Sequence, residues 1–180
     1  PFYGMHMLYD SLAVITLGYL ENMDADYIQK RLSTFDGVKR RYTVQEVGNN
    51  VYVDDYAHHP TEIAATLHAA ANYPHKTLWC VFQPHTYTRT KAFMKDFAKA
   101  LSLADKVVLA DIYAARETDT LGISSETLQT EIRALGHECY YFPSFDEIEN
   151  FLLENCINGD LLITMGAGDV YLIGEDLVKE

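Results

Sequence analysis

The sequence predicts an α/β domain whose mostly parallel sheet carries helices on both faces. From about residue 42 onwards, short apolar runs alternate with stretches of helical periodicity, and each run is apolar almost throughout. Such runs are typical of strands buried on both faces, which occur where helices cover a parallel sheet. With 180 residues, the chain has room for one ordinary domain and a small appendage.

Two short helices are predicted ahead of the sheet. Apolar residues recur at helical spacing over residues 5–20 and again over 25–35, where Asp24 can act as the N-cap of the second helix. Asp36-Gly37 is a stop signal for that helix. Because no strand lies between the two helices, this segment has no sheet on which to build a core.

A hairpin is expected to open the sheet. The runs YTVQEV and VYVD flank Gly48-Asn49-Asn50, where residues that tolerate positive φ indicate a tight turn. Four further strands are predicted at 78–82, 106–110, 139–142 and 161–164. Helices are predicted at about 60–72, 88–103, 124–135, 145–155 and 170–179.

Composition argues against several classes of protein. The chain carries 14 Lys and Arg against 26 Asp and Glu, a net charge of -12, so it would repel a phosphate backbone and we expect no nucleic-acid partner. No apolar run approaches the roughly 20 residues of a membrane span, and no basic flank indicates a secretory signal, so we expect a cytoplasmic protein without a membrane partner. The three cysteines form no CxxC pair and are expected to be buried free thiols.

Polar residues concentrate after the predicted strands. In an open parallel sheet the ligand site lies outside the carboxyl ends of the strands. The segments that follow those ends are DDYAHHPTE, QPHTYTRTK, DIYAARE and MGAGDV, whereas the loops at the opposite edge show no such concentration. Cations cluster at 39–41 and at 89–91, which suggests a small anionic ligand, although a solvated basic turn explains the same composition.

Two interpretations stay open for Asp54 and Asp55. Adjacent residues of a strand point to opposite faces, so only one of the two carboxylates can readily address a given ligand. That carboxylate could bind a ribose hydroxyl or a metal-bound water. Alternatively, it could cap the helix that begins near Pro60, because the dipole at a helix N-terminus favours an acid.

The pair His58 and His59 is not expected to bind a metal, because neighbouring histidines diverge on an extended chain and spacing provides no third ligand. Next to a helix N-terminus, the neutral form of histidine is favoured. A neutral imidazole suits a hydrogen bond to a substrate amine or carboxylate, and it suits simple capping of the helix equally well.

The segment after the next strand offers a cation to an anionic group. His85 and Arg89 lie along an extended approach to a helix that Thr88 or Thr90 could cap. Arg89 could hold a carboxylate or phosphate by a forked hydrogen bond. The alternative is a surface ion pair with a nearby carboxylate, that of Asp96 or Glu62.

Gly166-Ala167-Gly168 follows a strand and opens a helix, an arrangement that lets backbone amides approach an anion, although tight packing also explains two glycines there. The phosphate-loop pattern GxxxxGK[ST] is absent from the sequence, and spacing suggests no Ser-His-Asp set. The residues alone therefore indicate an α/β domain that binds a small anionic ligand, without indicating a reaction.

Four segments, in this order and spacing, resemble the Mur ligase family: FDGVKRRY, VDDYAHHPTEIAATL, VFQPHTYTRTKAF and MGAGDV. They are similar to the carboxyl-terminal portion of the members that join L-alanine to UDP-N-acetylmuramate in peptidoglycan precursor synthesis. The resemblance implies that residues 42–180 form the Rossmann-like C-terminal domain, which receives the amino acid. It also implies that residues 1–41 are the helical end of the central ATPase domain. The chain is then expected to be a fragment that is inactive alone.

The family's reaction implies the ligands of the intact enzyme. ATP phosphorylates the muramyl carboxylate, the amine of alanine attacks the acyl phosphate, and phosphate leaves. The resemblance thus implies ATP and Mg2+ as cofactors, neither bound tightly by this part alone, and L-alanine, ATP and UDP-N-acetylmuramate as small-molecule partners. The alternative is a stand-alone Rossmann-like module that binds a nucleotide or an amino acid.

Matching motifs assign a nucleotide site. The resemblance implies that Arg41 meets the ATP phosphates, that Asp55 contacts the ribose, and that His6 and Asp10 lie at the adenine. Met7 and Asp10 stand where the family pattern GxHNxxN has its two asparagines. An ionised Asp10 can accept but not donate a hydrogen bond, so it cannot replace an amide at both edges of the base.

For the amino acid, the resemblance implies a site formed by Tyr56, His58, His85 and Arg89. Arg89 would hold the carboxylate of L-alanine, and the imidazoles would lie near its amine. Many relatives carry arginine at the position of Thr86, so Arg89 would act without a second cation. The magnesium ligands and the phosphate loop of the family fall outside this chain, and we assign no catalytic residue and no metal ligand within it.

Overall fold

The computed structural model describes residues 5–35 and 37–179, with side chains from residue 7 onwards. A six-stranded sheet has the order β1-β2-β6-β3-β4-β5, in which only β1 runs antiparallel to its neighbour. The strands are β1 Thr43–Val47, β2 Asn50–Asp55, β3 Leu78–Phe82, β4 Lys106–Leu109, β5 Glu138–Tyr141 and β6 Leu161–Met165. The predicted α/β fold with a mostly parallel sheet is confirmed.

Helices follow the strands in the predicted alternation. In chain order they are α1 Met5–Leu20, α2 Ala25–Ser33, α3 Pro60–Ala70, α4 Tyr87–Ala92, α5 Met94–Leu101, α6 Ser125–Ala134, α7 Phe145–Asn155 and α8 Tyr171–Leu177. One prediction is wrong in detail, because the single helix expected at 88–103 is two helices. They meet at Phe93, whose φ of -112° lies outside the helical range.

The core lies on both faces of the sheet. Side chains alternate along each strand, so neighbours such as Trp79 and Cys80 enter different clusters. One cluster packs under α3, α5 and α6, and the other under α7 and α8. Every residue of β3 and β6 is buried, which is why these strands read as continuous apolar runs.

The hairpin forms as predicted. Val47 pairs with Asn50, so a two-residue turn of Gly48 and Asn49 joins β1 to β2, and Gly48 adopts a φ of +61°. A glycine takes this conformation without the steric cost of a Cβ.

The helices α1 and α2 carry apolar residues that the rest of the described chain does not cover. Asp24 caps α2 as predicted, with its side chain accepting from the backbone N–H of Tyr27 at 3.0 Å. The helix ends at Ser33, shortly before the predicted stop, of which Asp36 lies outside the described residues. The large apolar side chains left exposed on this pair are those of Leu8, Tyr9, Leu12, Val14, Ile15, Leu17, Tyr19, Leu20, Met23 and Tyr27.

All three cysteines are free thiols, as predicted, and two of the three are buried as predicted. Cys80 and Cys139 are buried, whereas Cys156 is half-buried. Among the described helices, none combines the length and the apolar character needed to cross a bilayer.

Candidate functional site at the carboxyl edge of the sheet

Four loops meet at one edge of the sheet because their strands end in register. Asp55 pairs with Met165, Met165 with Phe82, and Phe82 with Leu109. The segments that follow β2, β3, β4 and β6 therefore leave the same rim, as the sequence predicted for a parallel sheet. This places the DDYAHHPTE, QPHTYTRTK, DIYAARE and MGAGDV segments side by side.

Asp55 is buried and is engaged on both carboxylate oxygens. Its Oδ1 accepts from the N–H of Ala57 at 2.8 Å, and its Oδ2 accepts from the N–H of Tyr42 at 3.1 Å and from the Thr66 hydroxyl at 3.2 Å. Burial raises the pKa of Asp55, and these hydrogen bonds oppose that rise. The carboxylate thereby ties the start of β1, the end of β2 and helix α3 together.

The N-terminus of α3 is capped by His59 and not by either aspartate. Its Nδ1 accepts from the N–H of Thr61 at 3.3 Å, while Glu62 accepts from the N–H groups of His58 and His59 at 3.0 and 3.1 Å. The capping interpretation is therefore wrong for Asp54 and Asp55 and correct for this histidine. Among the described residues, no three His, Cys, Asp or Glu side chains are grouped so that they could hold a metal ion.

Arg40, to which sequence analysis assigned no role, binds the turn that follows β6. Its Nη2 donates to the carbonyls of Gly166 at 2.7 Å and Gly168 at 3.0 Å. Its Nε lies 3.5 Å from Oδ2 of Asp54, and both side chains are largely buried. The guanidinium also packs between two tyrosine rings, with ring centroids at 5.0 and 4.4 Å.

Tight packing accounts for the two glycines of this turn. Gly166 has a φ of +151°, and a Cβ on it would lie 2.9 Å from the carbonyl oxygen of Gln83. A Cβ on Gly168 would lie 2.2 Å from Oε1 of the same glutamine. The carbonyls of both glycines face Arg40, so the packing interpretation of the motif is the one that this geometry supports.

Three of the four residues predicted for the nucleotide line one cavity. Asp10, Arg41 and Asp55 border a space of about 920 Å³ between the α1–α2 pair and α3. Arg41 is exposed, and its guanidinium lies 5.6 Å from the ring centroid of Tyr56. The side chain of His6 lies outside the described residues. Much of the remaining lining is apolar, including Val14, Leu17, Met23, Ile28, Leu32 and Phe35.

A row of rings joins three of the loops. The ring centroids of Tyr56 and His58 are 5.3 Å apart, and those of His58 and His85 are 5.9 Å apart, in both cases edge to face. Tyr113 continues the row by stacking on His85 at 5.7 Å with an interplanar angle of 20°. The structure thus brings the predicted Tyr56, His58 and His85 together and adds Tyr113, which sequence reasoning missed. The sequence does place the DIYAARE segment, which contains Tyr113, at this edge of the sheet, and that position was the one indication that Tyr113 could belong to the site.

Two polar atoms of the segment after β3 are buried without a hydrogen-bond partner among the described residues, namely Nδ1 of His85 and Nη1 of Arg89 in helix α4. The ion pairs of the described residues do not include one between Arg89 and Asp96 or Glu62, so the surface ion pair is not its explanation. Burial, helped by the Arg89 charge, lowers the pKa of His85, so this imidazole is neutral near pH 7.

Helix α4, which carries Arg89, is capped two residues earlier than predicted. Thr86 accepts from the N–H of Arg89 at 3.4 Å, so the expectation that Thr88 or Thr90 caps the helix is wrong. Thr86 adopts a left-handed φ of +64°, which turns the chain sharply into the helix. Local sequence does not signal such a turn at a β-branched residue, since that conformation is sterically unfavourable.

The comparisons agree with this architecture. A family model described as "Mur ligase, glutamate ligase domain" matches residues 39–168. The chain is 59% identical over 177 residues to a UDP-N-acetylmuramate--L-alanine ligase of Lachnospira eligens, covering 98% of this chain and 39% of that protein. It is 57% identical over 178 residues to the ligase of the same name from Lachnoclostridium phytofermentans, covering 98% and 38%. The chain therefore spans less than two fifths of the length of these relatives.

Solved structures show the same fold. The UDP-N-acetylmuramate-alanine ligase MurC from Thermotoga maritima superposes with a TM-score of 0.82 at 28% identity, covering 99% of this chain and 38% of that one. A murein peptide ligase mpl from Psychrobacter arcticus reaches 0.73 at 22% identity over 99% and 37%, which is evidence for the fold alone. Since the family model covers most of the residues, this chain belongs to the Mur ligase family through its glutamate ligase domain.

Proposed function

We propose that this chain is the amino-acid-accepting part of an ATP-dependent ligase that joins L-alanine to UDP-N-acetylmuramate in peptidoglycan precursor synthesis. The observation that carries the proposal is a pair of buried atoms in the segment after β3, Nη1 of Arg89 and Nδ1 of His85, which have no hydrogen-bond partner in the described part of the chain. Buried polar atoms are nearly always hydrogen-bonded, so such a pair indicates a ligand with matching groups. The names of the two curated relatives described above point to the same reaction.

The zwitterion of an amino acid fits these two side chains. Arg89 presents an N–H donor to a carboxylate, and charge-assisted bonds of this kind are strong where water is excluded. His85 is neutral near pH 7 because burial lowers its pKa, so one of its ring nitrogens can accept a hydrogen bond from an amine. His58 and Tyr56 extend this wall along the rim.

The nucleotide would lie on the other side of Tyr56, in the cavity lined by Asp10, Arg41 and Asp55. When bound, ATP supplies the phosphoryl group that activates the carboxylate receiving the amine. Arg41 lines this cavity and is exposed, so its guanidinium is available to phosphates bound there. Within the described part of the chain, no three His, Cys, Asp or Glu side chains are grouped so that they could hold Mg2+.

The division into two parts is a further element of the proposal. Residues 1–41 would be the helical end of an ATPase domain and residues 42–180 the C-terminal domain. The apolar side chains exposed on α1 and α2 support this division, because a helix pair that leaves so much apolar surface uncovered needs another packing partner. A cytoplasmic location, expected from the sequence, belongs to the same proposal.

A chimaeric ligase tests the function. The Lachnospira eligens enzyme would carry this chain in place of the 177 residues that it matches, and phosphate release would be followed with ATP, Mg2+, UDP-N-acetylmuramate and L-alanine. We expect turnover by the chimaera and none by the 180-residue chain alone. Arg89→Ala should raise the KM for L-alanine by about ten- to a hundredfold and leave the KM for ATP unchanged. Arg41→Ala should do the reverse.

The matched control is Lys95→Ala, which removes an exposed cation from the neighbouring helix α5 and should leave both KM values unchanged. A folded chimaera that binds its substrates but forms no alanine product would contradict the proposal. Submicromolar binding of ATP or L-alanine to the 180-residue chain would instead favour a stand-alone binding module.

A further inference from the structure

The loop after β4, residues 111–117, is hydrogen-bonded to the segment after β3, which carries His85 and leads into helix α4 with Arg89. The N–H of Thr86 donates to the carbonyl of Tyr113 at 2.9 Å, and the N–H of Tyr113 donates to the carbonyl of Pro84 at 2.8 Å. His85 and Tyr113 thereby form an isolated parallel bridge beyond the ends of β3 and β4. These two backbone hydrogen bonds join the segment after β3 to the loop after β4.

Tyr113 restricts the ring of His85. The two rings stack with an interplanar angle of 20°, while the edge-to-face ring of His58 approaches the same imidazole. On its other side, the tyrosine ring lies close to Gly168, where a Cβ would be 3.0 Å from Cγ of Tyr113. The imidazole plane of His85 is therefore set by its neighbours and not by a hydrogen bond to Nδ1, which has no partner among the described residues.

Glu117 holds the first turn of α4. Its carboxylate accepts from the backbone N–H of Thr88 at 3.0 Å and also from the hydroxyl of Thr88. The hydroxyl bond lowers the pKa of Glu117, so the group is ionised near pH 7. Arg89 is the next residue of that turn, so this carboxylate determines where the arginine backbone lies. Its charge also opposes the lowering of the pKa of His85.

Backbone strain marks the same contact. Thr86 in one of these segments and Ala115 in the other have φ values of +64° and +53°, a left-handed conformation that costs a residue with a Cβ about 1–2 kcal/mol. Such residues persist where the surroundings hold them in place, and they concentrate at functional sites.

We propose that Tyr113 and Glu117 are positioning residues of the amino-acid site. Tyr113 sets the ring plane of His85, and Glu117 sets the first turn of α4 and with it the direction of Arg89. Neither residue has to touch the amino acid. The expected effect on the KM for L-alanine rests on the proposed function. The expected effect on His85 rests only on the geometry of the described residues.

Kinetics of the chimaera give the first test. Glu117→Ala should raise the KM for L-alanine about tenfold, the effect of one misplaced hydrogen bond, with the KM for ATP unchanged. Glu117→Gln should stay within about twofold of the parent in that KM, because an amide oxygen can still accept from the N–H of Thr88. Tyr113→Phe should match the parent, whereas Tyr113→Ala should raise the same KM. The control is Glu126→Gln, an exposed carboxylate on α6.

An NMR titration of His85 in the 180-residue chain gives the second test, which needs no enzyme activity. Both Glu117→Ala and Glu117→Gln should lower the pKa of His85, and Tyr113→Ala should shift its ring resonances by removing the stacked ring. An unchanged His85 titration in both Glu117 variants, with the KM for L-alanine also unchanged, would overturn the proposal. If the parent chimaera makes no product, the proposed function fails, and the titration alone decides whether these residues control His85.

Discussion

Neighbouring arginines in the segment KRRY should respond in opposite ways to removal. Arg40 is largely buried and binds two backbone carbonyls and Asp54, whereas Arg41 is exposed beside the cavity. Arg40→Ala should therefore destabilise the fold, and Arg41→Ala should change the free energy of unfolding by no more than about 0.5 kcal/mol. The second variant is the matched control, since it removes the same charge one residue along the chain.

The expected loss for Arg40→Ala is about 3 kcal/mol. Removing one partner of a buried ion pair costs about 3–5 kcal/mol, because the other charge stays buried and unpaired. The lower end applies here because Nε and Oδ2 of Asp54 are 3.5 Å apart, which is longer than an ordinary hydrogen bond. A loss of this size lowers the melting temperature of a chain of this length by roughly 6–12 °C.

Urea unfolding followed by tryptophan fluorescence measures this effect. Trp79 is the only tryptophan of the sequence and is 1% exposed, so its emission reports the loss of the core. With a slope of about 2 kcal/mol/M, the midpoint for Arg40→Ala should fall by about 1.5 M.

The pH dependence provides a sharper criterion for Arg40. Burial raises the pKa of Asp54, and the Arg40 charge opposes that rise. Without the arginine the pKa rises further, and a carboxyl whose folded-state pKa is raised destabilises the fold as pH increases. The deficit of Arg40→Ala should be largest near pH 7 and should shrink towards about pH 5 as the carboxyl takes up a proton. A deficit that is constant over this range, or as large for Arg41→Ala, would refute the reasoning.

Three further perturbations test the packing. Gly174→Ala should destabilise by about 1–3 kcal/mol or more, because its Cβ would lie 2.0 Å from the ring of Tyr52, and an unchanged urea midpoint would contradict this. Burial raises the pKa of Cys139 to about 12 and that of Cys156 to about 11. Iodoacetamide at about pH 8 should therefore label both thiols slowly, and the half-buried Cys156 before Cys139. Rapid labelling of Cys139 in the native chain would contradict its burial. Asp160→Ala removes the acceptor of the only indole N–H of the sequence, at 3.0 Å, and should cost about 1–3 kcal/mol by urea unfolding; an unchanged free energy of unfolding would contradict this.

Local periodicity carried most of the information about the fold. The continuous apolar runs identified β3 and β6 because both are buried on every residue, and the Gly48 turn identified the hairpin. The helix after β3 was mispredicted because its break at Phe93 leaves the apolar spacing of α4 and α5 intact. Side-chain spacing reports which face is apolar and does not report backbone torsion at one residue.

The sequence predicted which residues lie at the candidate site better than it predicted their contacts. Sequence reasoning placed Tyr56, His58, His85 and Arg89 on one rim, because parallel strands end at one edge and because the motifs resemble a known family. It assigned Asp55 a role in ligand binding, but it did not predict the three hydrogen bonds that this carboxylate accepts from within the chain.

By itself, the sequence determined the alternation of strands and helices, the edge of the sheet where polar residues gather, and the family. Those features depend on residues close together in the chain, whose pattern is legible without coordinates. Only the tertiary structure decided which arginine of KRRY stabilises the fold, since Arg40 donates a hydrogen bond to the carbonyl of Gly166, 126 residues away. It alone also brought Tyr113 against His85, because contacts between loops are set by strand order and register, which no local pattern encodes.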